Sequence, residues 1–152
     1  MHIKKCCKIT NGIELTKPSR TLATSYLRKA RASLQTLQAI SEKDWKIVTS
    51  YYAIYFSLYA ILVRIGVKCE IHACTITFVE VLLKKYFTPA DINFFRQAAK
   101  TRVAAQYDID THIPNQFYGL MMRNASTTRT TCSDIIETIA DEEIKDIRAK
   151  IS

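Results

Sequence analysis

Residues 41–66 read SEKDWKIVTSYYAIYFSLYAILVRIG, and this stretch decides the fold. Ser41-Glu42-Lys43-Asp44 has the Ser-x-x-Asp form of a capping box, in which a hydroxyl and a carboxylate three residues apart satisfy orphan backbone N–H groups at a helix start. Apolar residues then run from Trp45 to Ile65 with few polar interruptions, and Gly66 follows where a C-terminal cap is expected. A helix that is apolar nearly all round must be covered on several sides, so this one forms the centre of the core. Tyr51, Tyr52, Tyr55 and Tyr59 each carry a hydroxyl that needs a partner when buried, which points to polar contacts at a subunit interface. Residues 47–63 come closest to a membrane span but fall short of the roughly 18 uncharged residues one needs. They read as a buried core helix, and no membrane contact is expected.

The pattern extends outward in both directions. Thr16-Lys17-Pro18 reads as a helix start with Pro early, where a missing N–H costs nothing. Leu22, Ala23, Tyr26, Leu27, Ala30, Leu34, Leu37 and Ile40 follow as one stripe, opposite a basic face of Arg20, Arg28, Lys29 and Arg31. After residue 66, a short loop leads to a third helix from Ile71 to about Phe87. Thr88-Pro89-Ala90-Asp91 is the clearest helix start in the chain, and the fourth helix carries Ile92, Phe95, Ala99 and Val103 to an end near Gln106. Asn115 is a candidate cap for a fifth pattern that keeps steps of three or four to Ile151, with a break or kink expected across the poor helix formers Ser126 to Thr131. Short connections force neighbouring helices antiparallel. The expected fold is all-α: an up-and-down antiparallel helical bundle of four long helices plus one shorter helix, spanning residues 17–152 behind an N-terminal arm, residues 1–16.

Composition agrees with one packed domain. The chain has 152 residues, 48% of them hydrophobic and 24% charged, and only three Gly and three Pro, too few for the turns of an all-β protein of this length. Residues 1–8 are basic but contain no apolar stretch or small-residue cleavage site, so no secretory leader is expected. Five Cys with no Cys-x-x-Cys read as reduced thiols of a cytoplasmic protein, Cys74 and Cys132 as small hydrophobes in or near the core. The net charge of +8 is uneven. Residues 1–40 hold eight Lys/Arg against Glu14 alone, whereas residues 107–152 hold five against eight Asp/Glu. Such a distribution suits either self-complementary packing or attraction to polyanions.

Polar chemistry concentrates in Arg102-Val-Ala-Ala-Gln-Tyr-Asp-Ile-Asp-Thr-His112, where a helix ends and a loop begins. The chain contains no Gly-rich phosphate loop, no His-Glu-x-x-His and no Gly-x-Ser-x-Gly. His72 and His112 are not joined by any metal-type spacing, so neither a metal nor another cofactor is expected. Asp108 and Asp110 read as loop caps or as ion-pair partners of Arg102.

Ser50-Tyr51-Tyr52-Ala53-x-x-Phe56 on the apolar helix, then Gly66, a short loop with His72, and Arg102-x4-Tyr107 at a helix end resemble the HEPN domain, and in particular the small stand-alone prokaryotic HEPN proteins. The resemblance spans roughly Leu22 to Ile139. It implies a helical bundle that forms a homodimer. It also implies RNA or nucleotide binding, in many members as a metal-independent endoribonuclease toxin paired with a small nucleotidyltransferase antitoxin. The family motif is Arg, four to six residues, then His, often written Arg-x4-Tyr-x-His. Arg can hold a phosphate bidentately, and His can move a proton to or from a ribose hydroxyl. Arg102 and Tyr107 match, but Ile109 stands at the histidine position and can transfer no proton. His112 follows three residues later, giving Arg-x9-His. The resemblance therefore implies Arg102, Tyr107 and His112 as catalytic candidates, and Arg102, Tyr107, Asp108 and His72 as binding candidates. Tyr107 would be the tyrosine that an antitoxin adenylylates. The leading expectation is an RNA/nucleotide-binding or interaction protein with a degenerate motif. The alternatives are an active ribonuclease and a purely structural partner of a nucleotidyltransferase.

Overall fold

The computed structural model describes residues 2–110 and 112–152. Met1 of the N-terminal arm and Thr111 of the polar stretch lie outside the described residues. The fold is the expected all-α bundle. Its four long helices are α2 (Arg20–Ala39), α3 (Lys43–Ile65), α5 (Pro89–Tyr107) and α6 (Asn115–Thr138). The shorter α4 (His72–Leu82), the terminal α1 (Ile3–Cys6) and α7 (Asp141–Ala149), and two two-residue strands complete it. Strand β1 (Glu14–Leu15) pairs antiparallel with β2 (Val67–Lys68), placing Glu14 opposite Lys68 and Leu15 opposite Val67.

Helix α3 is the central element, with α2, α5 and α6 packed around it. Its length and composition would suffice to cross a bilayer, yet 78% of that apolar window is buried inside the domain. Ile47, Ile54, Ile61 and Leu62 are fully enclosed, and each such side chain contributes about 1.5–3 kcal/mol relative to exposure. At its C-terminus Gly66 adopts φ 90°, the left-handed cap its sequence position implied. A Cβ there would lie 2.7 Å from the Thr16 carbonyl oxygen, so the position needs glycine for space as well as for conformation.

Several local expectations are corrected. Glu42, not Ser41, caps α3, accepting from the Trp45 N–H at 2.9 Å. Helix α2 begins at Arg20 under the Ser19 cap, because the N–H groups of Thr16 and Ser19 are committed to the carbonyls of Gly66 and Val63. The N-terminal segment is correspondingly tied in: Cys6 and Ile13 lie in the core, and Cys6 is disulfide-bonded to Cys74. The expectation of a reduced Cys74 is thus overturned, since two thiols 68 residues apart in sequence meet at a Cα separation of 5.6 Å. Helix α4 stops at Leu82 rather than Phe87, because the chain must turn to bury both Leu83 and Phe87. Asn115 is the first residue of α6 and not its cap; its side-chain oxygen accepts from Lys43 Nζ at 3.1 Å.

Ser126–Thr131 causes no break. Thr128 and Thr130 satisfy their hydroxyls on the carbonyls of Asn124 and Ser126, and Ala125, Thr128 and Cys132 bury one face of α6. The interruption comes at Ile139-Ala140, where Ile139 buries in an extended conformation and three acidic residues open α7, as the helix dipole favours.

Candidate functional site

The fold brings Arg102 of α5 and His72 of α4 to the N-terminal half of α3. There, successive turns present Tyr51, Tyr52 and Tyr55. His72 is the first residue of α4 and sits two positions before the disulfide-bonded Cys74, so the covalent tie to α1 fixes the turn that carries it. The imidazole stacks on Tyr55 with ring centroids 3.9 Å apart and an interplanar angle of 12°. Its Nδ1 lies 2.7 Å from the Tyr51 hydroxyl and 3.4 Å from Arg102 Nη2. The Arg102 guanidinium stands over the rings of Tyr51 and Tyr52 at 5.0 and 5.7 Å, within cation–π range.

These contacts assign the protons. A guanidinium can only donate, and burial pushes the Tyr51 phenol up to about 12, so it too keeps its proton at neutral pH. Both groups therefore donate to His72 Nδ1, and we assign the ring proton to Nε2. Burial first, and the Arg102 charge second, hold the His72 pKa below its usual value. His72 is thus a neutral imidazole whose basic nitrogen is already occupied, and Nε2–H is its remaining donor.

Arg102 has received no countercharge. Among the described residues no ion pair joins it to a carboxylate; its side-chain partners are His72, the two tyrosine rings and the Gln106 amide oxygen at 3.3 Å. Its Nε is buried without any hydrogen-bond partner. A half-buried guanidinium with no carboxylate partner suits an anion with several acceptor oxygens.

The other candidate residues lie apart from this cluster. Tyr107 is 72% exposed and Ile109 is 98% exposed, both at the end of α5. His112 is exposed on the α5–α6 loop. Asp108 does not neutralise Arg102; its carboxylate accepts from the Asp110 N–H at 3.2 Å, the local turn expected of an Asp. Of the tyrosine hydroxyls, that of Tyr51 pairs with His72 and that of Tyr59 accepts from the Cys69 N–H. No group of three or more His, Cys, Asp or Glu among the described residues is placed to hold a metal ion. Two clefts of about 520 and 310 Å³, lined respectively around Arg96 and Asn124, contain none of the residues of the cluster.

The residues that sequence reasoning missed are Tyr51, Tyr52 and Tyr55 as the floor of a site. Their spacing does place them along adjacent turns of one helix, but nothing in that spacing tells which other helix supplies a cation. Comparison of the chain with protein-family models, with curated proteins and with solved structures gives no match.

Proposed function

We propose that this protein is a HEPN-like RNA- or nucleotide-binding domain that holds a phosphate at Arg102, beside His72 and over Tyr51 and Tyr52. The observation that carries this reading is the half-buried Arg102 guanidinium, against a polar aromatic wall and with no carboxylate paired to it among the described residues. Arg forms its most specific contacts to phosphate with paired N–H donors, and a site without a nearby carboxylate does not repel the ligand. Calorimetric titration with 5′-UMP, and with inorganic phosphate as the simplest anion, tests it. Binding should be detectable and lost in Arg102→Ala with the fold intact by circular dichroism. A wild-type protein with no heat of binding for either compound overturns the proposal.

The binding reading is favoured over cleavage by the state of His72. A general base needs a free lone pair, and Nδ1 already accepts from Tyr51 and Arg102. His112 is exposed on its loop and Ile109 has no proton to give, so the motif lacks a positioned proton carrier. Incubation with single-stranded RNA and a chelator decides between the two: cleavage abolished by Arg102→Ala would replace the binding reading with a ribonuclease using His72.

A homodimer and a nucleotidyltransferase partner belong to the same proposal. Val103 and Ile109 are exposed near the end of α5, which favours a surface that another chain covers, and the exposed Tyr107 hydroxyl beside it is accessible to modification. Sedimentation of the wild type against Val103→Ser tests the first. Mass spectrometry after incubation with ATP and a nucleotidyltransferase tests the second.

A further inference from the structure

Beyond its first turn helix α3 is buried on every side but one, where only Thr49, Tyr52 and Phe56 are not enclosed. With Trp45 of the first turn they recur at steps of four, three and four, which is a single helical face. Trp45 is 56% exposed and is the one tryptophan of the chain. The stripe is flanked by two cations on different helices. Arg102 of α5 stands 5.7 Å from the Tyr52 ring, and Lys29 of α2 stands 5.0 Å from the Phe56 ring, while the two rings are 5.6 Å apart. No ion pair with a carboxylate is made by Lys29 among the described residues, and α2 contains four Lys/Arg and no acidic residue.

An apolar stripe alone would suit a second helix. Two cations from different helices beside it, neither paired with a carboxylate among the described residues, do not, because covering them with an apolar partner would desolvate both without a counter-ion. Aromatic side chains along a helix face bordered by cations meet the requirements of a strand whose charged backbone is continuous and whose bases are unpaired. Resting on the phosphate reading of Arg102, we propose that this face binds a single-stranded polynucleotide rather than a mononucleotide. Lys29 contacts a second phosphate beyond the one at Arg102, and an unpaired base stacks on the Trp45 indole.

The test uses the full chain with oligo-U and oligo-dT 12-mers, compared with 5′-UMP, followed by anisotropy and by the emission of the lone tryptophan. Both 12-mers should bind more tightly than 5′-UMP and should quench Trp45. Lys29→Gln should weaken 12-mer binding about fivefold and reduce the slope of log affinity against log salt by about 0.7, the share of one single-strand phosphate, while leaving 5′-UMP unchanged. Trp45→Ala should weaken the 12-mers about tenfold, the scale of one stacked base. If 5′-UMP binds and depends on Arg102 but Lys29→Gln leaves 12-mer affinity and salt slope unaltered, the polynucleotide face is wrong and the phosphate site stands. The face is equally wrong if saturating 12-mer leaves Trp45 emission unchanged, or if the protein self-associates through the stripe, with Trp45→Ser abolishing association. If neither 5′-UMP nor phosphate binds, both proposals fall together. A preference for one 12-mer identifies RNA or DNA as the source of the strand.

Discussion

The two ends of α3 are built on opposite terms. At its C-terminal end the carbonyls of Leu62, Val63 and Ile65 are all bonded, the first two by the N–H groups of Gly66 and Ser19. Arg148 Nη1 donates to the carbonyls of Thr16, Ile65 and Gly66 at 2.8, 3.3 and 2.7 Å, and Thr16 returns its own N–H to Gly66. Arg64, close by on the helix, is only 5% exposed; burial and then the Arg20 charge lower its pKa, against Asp141 and Glu137. The N-terminal half has a cation too, but Arg102 is half-open and faces rings instead of carboxylates, although the Nε of each arginine lacks a hydrogen-bond partner. Carbonyls capped by a charged donor hold a fold together; a half-open cation without a carboxylate partner, over the buried Tyr51 and the half-buried Tyr52, is what the phosphate reading rests on.

That contrast can be broken in several ways. The largest effect is expected at the N-terminal tie. Cys74→Ser opens a link between residues 68 apart and should lower the unfolding free energy by about 3–4 kcal/mol, measured by denaturant titration against the oxidised wild type. A change near zero would mean that the N-terminal segment is not held by this bond. Next, Arg148→Ala strips three carbonyls of a charged donor and should cost about 2–3 kcal/mol while leaving 5′-UMP affinity within error. Arg102→Ala should do the reverse: about tenfold or greater loss of 5′-UMP affinity, roughly 1.4 kcal/mol, with stability moved by less than about 1 kcal/mol. Should Arg102→Ala unfold the protein and Arg148→Ala impair binding, the division between the two ends is wrong.

The smallest effect is that of pH. The folded-state pKa of His72 is depressed by burial and by Arg102, so the unfolded chain takes up its proton first. The stability this histidine contributes is therefore complete above its unfolded value, about 6.5, and is lost as pH falls below it. His72→Gln should flatten that part of the stability–pH curve. In the wild type, bound phosphodiester would favour the imidazolium, so affinity for a dinucleotide should rise modestly on acidification through the same range. An affinity that does not respond to pH would place the phosphate away from His72.

Much of the architecture was legible because it follows from local chemistry. The apolar run ending at Gly66 specified a central helix with a left-handed cap, and Thr88-Pro89-Ala90-Asp91 formed the capping box its residues allow. The misjudged boundaries share one cause. Ser19, Leu83 and Ile139 mark helix ends because of what their neighbours bury or bond across the chain, and such partners are invisible to local spacing. The disulfide is of the same kind. An odd number of cysteines without a motif says nothing about which two Cα atoms will come within 5.6 Å.

The sequence by itself determined an all-α bundle around residues 43–65, the basic character of α2, and Arg102 as a residue of interest, because helical period, capping and net charge are properties of neighbours along the chain. Only the tertiary structure decided that Arg102 answers to His72 and not to His112, that Asp108 leaves it unneutralised, and that a face of α3 stays uncovered between Lys29 and Arg102. Those facts depend on which helices lie side by side, and three elements far apart in sequence meet there only because each buries its own apolar face against the same central helix.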